Sequence, residues 1–283
     1  MRTAMILTGG LRTFEKTAAA LFKHIVEPNN CTLFVVCESE EDPTELIQSK
    51  FPGIEIGGML WAPSFRSDSE GFNGIADDTF NSDRPGLTDE VFARAGWDPV
   101  VGKEWIRSGS GSLVQWYQLW LSWFLVSGYE MRNDMKFDIC MKSRFDLLFT
   151  ETIQLTDFFS GEWTTSEEEM RSLGNTRMRS NPTDVSNGYA DEVGTPLGTF
   201  DTTVWTFGIE LAILAKRDTF ELLVSTIFNY GKWDSGLTSS FNSETTFHQY
   251  CKSLGLIHWA YQDIGFPLYS TDINSQWTFV ILR

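Results

Sequence analysis

Apolar runs alternate with helix-like spacing in the first part of the chain. Residues 3–8 and 32–37 are short apolar runs of the kind that forms buried strands, and residues 14–26 between them repeat apolar side chains on one helical face. The order strand, helix, strand predicts a βαβ unit with parallel strands. Residues 43–50 are predicted to form a short helix, and residues 54–60 a third strand.

The rest of the chain is less regular. Residues 62–111 are rich in Gly, Ser, Asp and Pro, which is typical of surface loops and short helices, and the polar stretch 164–199 is typical of a mobile flap. A helix that is apolar on nearly all sides, and therefore buried, is predicted from Ser112 to about Ser127. A buried strand follows at 137–141. Four further elements are predicted, namely a strand at 204–209, a helix start at 210–216, and helices at 218–230 and 243–254.

The chain length and the predicted strand–helix–strand order favour an α/β fold with a Rossmann-like, mostly parallel central sheet flanked by helices. The chain has 283 residues, of which 42% are hydrophobic, and this is enough for a sizeable core. The formal net charge of −16 argues against a nucleic-acid partner and against docking on anionic lipid. An anionic ligand must therefore be met locally, by a few arginines or by backbone N–H groups.

Cysteine usage and hydropathy point to a soluble protein of a reducing compartment, and we expect a cytoplasmic location. The four cysteines are scattered and include no CxxC pair, so neither a zinc site nor a redox motif is indicated. The N-terminus lacks the pattern of a secretory signal. The most apolar stretch, Leu113 to Val126, is too short to span a bilayer.

Polar groups follow the first predicted strand. Thr8, Gly9 and Gly10 end it, and Arg12 and Thr13 come directly before the helix that Thr13 is predicted to cap. Glycines let a backbone approach a ligand, a guanidinium offers a planar fork and a helix N-terminus attracts anions, so the combination suits a diphosphate. The alternative is that Arg12 pairs with a surface carboxylate. The chain carries neither GxGxxG nor a Walker pattern, so no dinucleotide or P-loop site is supported.

Two further positions contribute polar groups. Glu38 ends the second predicted strand, where its carboxylate can accept hydrogen bonds from a ribose or a base; a solvated loop acid is the alternative. In the buried helix, Gln115, Gln118 and Ser122 recur at i, i+3 and i+7 and form one polar stripe. Such a stripe faces either a polar cavity or a hydrogen-bonding partner in a neighbouring loop.

The segment MKSRFDLLF places polar and charged groups at the end of a core strand. A carboxylate just past a strand end can hold a divalent metal that bridges a diphosphate, and Asp146 is the candidate. Arg144, two residues earlier on the same strand face, is in a position to contact the same phosphates. The alternative is an ion pair at the sheet edge, between Arg144 and either Asp146 or Asp138.

Four segments, in this order and spacing, carry a resemblance. They are ILTGGLRTFEKTAAALFKHIVEPNNCTLFVVC at 6–37, FDICMKSRFDLLF at 137–149, FDTTVWTFG at 200–208 and NSETTFHQYCKSLG at 242–255. Together they resemble nucleotide-sugar-dependent glycosyltransferases of the GT-A type from giant algal viruses (chloroviruses), algae and bacteria, a layout shared with WavE-like lipopolysaccharide enzymes. Most GT-A enzymes carry Asp-x-Asp where this chain has Arg144-Phe145-Asp146, so Arg144 replaces the first acidic residue.

The resemblance implies a single GT-A-like domain over 1–283, with a nucleotide-sugar-binding half at 1–150 and a smaller acceptor-binding half at 151–283. The implied reaction transfers a sugar from a nucleoside-diphosphate donor, UDP-linked by preference, to a hydroxyl of a glycan acceptor. A pentose such as xylose is the specific expectation if the protein belongs to an algal-virus glycan pathway, which would place it in the host cytoplasm. Thr8, Gly9, Gly10, Arg12, Thr13, Glu38, Gln115, Gln118, Arg144 and Asp146 are the implied donor-binding residues.

The resemblance also implies catalytic roles. Asp201 and Glu244 are the candidates for the base that deprotonates the acceptor, although an acid at a helix start is also favoured by the helix dipole alone. Asp146 and His248 are the candidate ligands of a Mn²⁺ or Mg²⁺ ion, and a surface histidine is the alternative for His248. Because Arg144 replaces an acid, a cation of the protein could do part of the metal's work on the leaving diphosphate.

Two other functional classes compete with the transferase. A nucleotide- or carbohydrate-binding protein that kept the fold and lost catalysis is favoured by the missing first acid of Asp-x-Asp. A metal-dependent phosphohydrolase is disfavoured, because the chain lacks clustered His and Asp motifs.

Overall fold

The computed structural model describes a little over half of the chain. The described residues are 1–63, 73–75, 112–159, 178–180, 202–207, 212–226, 247, 250, 251, 253–261 and 279–281. Most of 62–111 and of 164–199, and most of the helix predicted at 243–254, therefore lie outside the described residues.

The elements of the first part follow the predicted order. They are β1 (Thr3–Gly10), α1 (Phe14–Leu21) continued by a π-helical turn (Phe22–Val26), β2 (Cys31–Glu38), α2 (Thr44–Lys50) and β3 (Ile56–Ala62). The later elements are β4 (Asn73–Ile75), α3 (Ser112–Arg132), β5 (Ile139–Arg144), β6 (Leu147–Phe149), a 3₁₀ turn (Leu155–Phe159), β7 (Met178–Ser180), β8 (Thr203–Phe207), β9 (Ala212–Lys216), α4 (Arg217–Val224), β10 (Ile257–Tyr261) and β11 (Phe279–Ile281).

Within the described residues, one sheet of nine strands runs in the order β4-β3-β2-β1-β5-β9-β8-β10-β7. Strands β1, β2, β3, β5, β8 and β10 share one direction, and β4, β9 and β7 run against it. This confirms the predicted α/β class with a mostly parallel, Rossmann-like sheet. We call the edge where β1, β2, β3 and β5 end the carboxyl edge, and the opposite edge the amino edge.

Helices cover both faces of the sheet, which explains the continuous apolar runs of the central strands. Ala4 and Ile6 of β1 belong to the core on the face of α3, whereas Met5 and Leu7 belong to the core on the face of α1. Because side chains alternate along a strand, every second residue of β1 and β5 faces α3. No helix in the described part of the chain is long and apolar enough to cross a membrane.

Helix α3 extends further than the sequence pattern predicts. The pattern ends the helix near Ser127, but the helix continues through Gly128 to Arg132. Tyr129, in the added turn, contacts the rings of Phe34 and Phe137 at centroid distances of 5.6 and 5.7 Å. Aromatic packing on the sheet therefore outweighs the low helix propensity of a glycine, which costs about 1 kcal/mol.

The helix start predicted at 210–216 is wrong. Residues Ala212–Lys216 form β9, which pairs antiparallel with β5 on one side and β8 on the other. Ala212, Ile213, Leu214 and Ala215 are all fully buried. A short apolar run without a clear period is compatible with a buried strand as well as with a helix. Here the run forms a strand because it pairs with β5 on one side and with β8 on the other.

A buried ion pair ties the amino edge together. Arg217, the first residue of α4, donates from Nη2 and Nε to the carboxylate of Glu130 on α3, at 2.9 and 3.2 Å. Glu130 also accepts a hydrogen bond from the backbone N–H of Phe137 at 3.0 Å. The guanidinium lies 4.8 Å from the centre of the Trp123 ring. The hydrogen bond to Glu130, followed by one to Glu221, raises the pKa of Arg217, so the arginine stays charged.

Candidate functional site

The parallel register brings the predicted strand-end groups to one edge of the sheet. Thr8 of β1 is level with Arg144 of β5, and Gly10 of β1 is level with Glu38 of β2. Neighbouring strands lie about 4.8 Å apart, so these residues form one continuous row at the carboxyl edge. Open α/β sheets bind their ligands beyond this edge. The row is therefore a candidate ligand-binding site.

The glycine turn after β1 gives the row an accessible backbone. Gly9 has φ of +114°, a conformation that side chains rarely tolerate. Arg12 is exposed, and its side chain folds back over Gly10, because a Cβ at Gly10 would lie 3.8 Å from the Cγ and Nε atoms of Arg12. In the described part of the chain, Arg12 has no carboxylate partner. Its guanidinium is therefore available to a ligand.

Thr13 precedes α1 as predicted, but the predicted side-chain cap is wrong. Its side chain makes no capping hydrogen bond, and its backbone sits at φ −119° and ψ 10°. The first turn is closed instead by its carbonyl oxygen, which accepts hydrogen bonds from the N–H groups of Lys16 and Thr17 at 2.9 and 3.3 Å. An N-cap side chain bonds well only from an extended backbone, and this conformation does not provide one.

Arg144 and Asp146 form a bidentate ion pair, which is one of the alternatives that the sequence left open. Arg144 donates from Nε to Oδ1 of Asp146 at 2.8 Å and from Nη2 to Oδ2 at 2.5 Å. The side chains are 29% and 20% exposed. Both members thus remain accessible to a ligand at the carboxyl edge.

The ion pair bears on the predicted metal site. Each oxygen of Asp146 accepts a hydrogen bond from a guanidinium, so a second cation there would face the full charge of Arg144 at close range. Among the described residues, no group of three or more His, Cys, Asp or Glu side chains is arranged to hold a metal ion. These residues do not fit a divalent metal in this arrangement, and the predicted metal dependence remains a prediction.

Helix α1 holds the turn that carries Asp146 through two contacts with Phe145. Thr17 donates its hydroxyl proton to the backbone carbonyl of Phe145 in a short hydrogen bond. The ring of Phe145 packs edge-on against Phe14, with centroids 5.1 Å apart and planes at 80°. Sequence reasoning missed Thr17, because a threonine inside an amphipathic helix carries no signal of a partner so far away along the chain.

Replacing Thr17 by valine should lower the free energy of unfolding by about 1 kcal/mol, because a buried hydrogen bond to a carbonyl is lost while the shape is kept. Thr17→Ser keeps the hydroxyl and serves as the matched control. Urea denaturation of both variants measures the difference. A loss of stability in Thr17→Ser but none in Thr17→Val would show that the methyl group matters and the bond to Phe145 does not.

The three residues of the polar stripe of α3 differ in their hydrogen-bond partners. Gln115 accepts a hydrogen bond at Oε1 from the Nζ of Lys142 at 3.3 Å. Ser122 donates to the Leu119 carbonyl of its own helix at 2.7 Å. Gln118 is 1% exposed, and neither atom of its amide has a hydrogen-bond partner within the described residues. Within the described residues, the stripe therefore contacts one buried polar side chain, that of Lys142, through Gln115.

Lys142 is the main residue that sequence reasoning missed. It lies on β5 between Met141 and Ser143, and it is 1% exposed. Lysines are almost never so buried without polar partners. A signal was present: Lys142 and Arg144 are two residues apart on a predicted buried strand, so both had to point to the same covered face.

Cys37 stands next to Gly9 in the row, but it is not a reactive group. Burial, followed by the nearby charges of Glu38 and Asp42, raises the pKa of its thiol to about 12. A thiol of that kind is protonated at neutral pH and is a poor nucleophile.

The remaining predicted site residues, Asp201, Glu244 and His248, lie outside the described residues. The strand that follows Asp201 is described. In β8, Val204 pairs with Ala215 of β9, which in turn pairs with Cys140 near the start of β5. Strand β8 thus begins at the amino edge, whereas the row of strand-end groups lies at the carboxyl edge.

Comparison with known proteins adds no assignment. No protein-family model matches the chain, and no curated protein matches it. The sequence resemblance and the geometry of the carboxyl edge are therefore the basis on which a function is proposed.

Proposed function

We propose that the protein is a glycosyltransferase that transfers a sugar from a nucleoside-diphosphate sugar, with UDP as the preferred nucleotide, to a hydroxyl of a glycan acceptor. A pentose such as xylose is the proposed sugar, and the cytoplasm is the proposed location. The proposal rests on the sequence resemblance and on one structural observation. That observation is the row at the carboxyl edge, where a glycine turn and a guanidinium lie within reach of the same ligand.

The row can recognise the parts of such a donor. The backbone of Gly9 and Gly10 can approach the diphosphate closely, and Arg144 and Arg12 can offer it charged N–H donors. Glu38, level with Gly10, can accept hydrogen bonds from ribose hydroxyls. This local concentration of donors is what an anion requires on a protein whose net charge is −16.

The proposed reaction is a displacement at the anomeric carbon of the donor sugar. The acceptor oxygen forms a bond to that carbon, and the bond from carbon to the diphosphate oxygen breaks. The diphosphate leaves with the electron pair, and Arg144 stabilises its added charge. In an inverting transfer the acceptor proton passes to a carboxylate, for which Asp201 and Glu244 are the proposed candidates.

The first test is thermal-shift binding of UDP-, GDP-, dTDP- and CMP-sugars, each with EDTA and with Mn²⁺. A ligand that binds only the folded state raises the melting temperature. We expect one nucleoside-diphosphate sugar to stabilise the wild type and Arg144→Met to weaken its binding about tenfold or more. The matched control is Arg132→Met, an exposed arginine at the end of α3 on the amino edge. If no nucleotide shifts the melting temperature under any condition, the proposal is wrong.

The variant Asp146→Ala separates two roles of that carboxylate. If Asp146 binds a metal, the variant loses only the part of the ligand shift that depends on Mn²⁺. If Asp146 acts by orienting Arg144, the shift falls equally in EDTA and in Mn²⁺. The bidentate ion pair favours the second result. The control is Asp138→Asn, because Asp138 is an exposed carboxylate at the opposite end of the same strand.

The ion pair also favours a second candidate, a protein that binds a nucleotide or a carbohydrate without turnover. Asp146 forms an ion pair with Arg144. A protein that has lost metal-dependent catalysis no longer needs a carboxylate at this position to bind a metal ion. The two candidates differ in one measurement, the release of nucleoside diphosphate from the bound sugar nucleotide. Slow hydrolysis or transfer supports the enzyme, and binding with no release supports the second candidate.

A further inference from the structure

The end of β5 and the turn after it carry the two members of the ion pair at the carboxyl edge. Within the described residues, β5 pairs with β1 as far as Arg144 and with β9 as far as Lys142. The backbone carbonyl of Phe145 therefore lies beyond the last paired residue of the strand. Buried carbonyl groups in folded proteins are almost always hydrogen-bonded, and here the donor is the hydroxyl of Thr17.

The hydroxyl of Thr17 brings together the backbone next to each of two arginines. It donates to the carbonyl of Phe145, the residue that follows Arg144. It also lies 3.4 Å from the carbonyl of Thr13, the residue that follows Arg12. A hydroxyl has one proton to donate, and the carbonyl of Phe145 is the nearest of the carbonyls around it. One buried side chain thus links the two segments that carry the guanidinium groups.

Helix α1 also holds the side chain of Phe145. The ring of Phe145 packs edge-on against the ring of Phe14, which lies on the same face of α1 as Thr17, three residues away. Phe14 and Thr17 are 0% exposed, and Phe145 is 1% exposed. Because the ring and the carbonyl of Phe145 are both held, the directions in which Arg144 and Asp146 leave the backbone are fixed on either side of it.

We propose that Thr17 is a positioning residue of the ligand site, which sets Arg144 relative to Arg12 so that both guanidinium groups reach one diphosphate. Thr17 is buried and does not touch the ligand; it acts through the carbonyl of Phe145. Binding is stronger when a side chain is already immobilised before the ligand arrives. The proposal deepens the proposed function and rests on it for the identity of the donor.

The test is binding of inorganic pyrophosphate in EDTA, measured by calorimetry on the full chain at a temperature where every variant is folded. We expect Thr17→Val to bind about fivefold more weakly than wild type, because binding must then immobilise Arg144. Thr17→Ser keeps the hydroxyl and should restore the affinity to within about twofold of wild type. Thr17→Ala removes the hydroxyl without placing a methyl group against the carbonyl of Phe145, and it should bind as weakly as Thr17→Val.

Two measurements separate positioning from a general loss of stability. Thr226→Val is the matched control, because Thr226 is also buried and its hydroxyl donates to the carbonyl of Leu223 in α4. This control should lose stability and keep its pyrophosphate affinity within about twofold of wild type. The second measurement adds Thr17→Val to Arg144→Met. There it should change the affinity by less than about twofold, since the group that Thr17 positions is already absent.

Three results would overturn the proposal: no binding of pyrophosphate by wild type, equal affinity in wild type and in both variants that lack the hydroxyl, or the full fivefold loss in the Arg144→Met background. Failure of the proposed function looks different. Pyrophosphate then binds with the expected variant effects, while no nucleoside-diphosphate sugar binds. In that case the positioning role of Thr17 stands and the donor assignment is lost.

Discussion

Replacing Glu130 by alanine is expected to lower the free energy of unfolding by about 3–5 kcal/mol, because removing one member of a buried ion pair leaves the other charge without its main partner. Glu130 is 5% exposed and accepts hydrogen bonds from the Arg217 guanidinium and from the Phe137 N–H. The change therefore strands two donors in the core. It also disconnects α3 from α4, which no other ion pair among the described residues joins.

Urea denaturation of Glu130→Ala measures this loss. The matched control is Glu221→Ala, which removes a carboxylate that also contacts Arg217 but is 50% exposed. An exposed partner of this kind contributes about 0.2–1 kcal/mol, so the control should stay close to wild type. A Glu130→Ala variant as stable as the control would mean that Asp218 and Glu221 fully compensate, and that the buried pair is not what joins the two helices.

Replacing Gln118 by methionine is expected to have the opposite effect and to raise the free energy of unfolding by about 1–3 kcal/mol, which is the desolvation cost of a buried polar group without a partner. Methionine has nearly the same length and fills the same space without an amide.

The matched control for Gln118→Met is Gln115→Met, one turn earlier on α3. Gln115 accepts a hydrogen bond from buried Lys142, so its replacement should destabilise the protein. Urea midpoints of the two variants, measured without ligand, give opposite signs on this account. A loss of stability in Gln118→Met would show that the Gln118 amide is hydrogen-bonded in solution.

The sequence pattern predicted the parallel part of the fold, because its apolar runs are short and are separated by a clear helical pattern. Gly9, Gly10 and Glu38 could be assigned to strand ends for the same reason, and parallel strands necessarily end at one edge. Strand β9 was mistaken for a helix start, since a run of four apolar residues has no period of its own and its identity depends on pairing with β5 and β8.

The candidate site was predicted less completely than the fold. Arg144 and Asp146 were found from their position after a strand, but the sequence left open whether they face a metal or each other, and that depends on side-chain geometry. Lys142 was missed because the alternation of side chains along the strand was not used to place this charged residue on the face covered by α3. The direction of β8 could not be read either, since strands of either direction have the same alternation.

The strand after Asp146 has a consequence for how the protein is made. Strand β6 is buried, and its one partner among the described residues is β11, with which it forms a separate two-stranded sheet. Most of the second half of the chain lies between the two strands. A ribosome must synthesise that whole stretch before β6 finds its partner, and contacts between such distant segments form late. A nascent chain can therefore complete β1, β2 and β3 early, while the turn that holds Asp146 keeps an open strand edge until β11 emerges. Ribosome-stalled chains that stop before residue 279 would carry that exposed edge and need protection by chaperones.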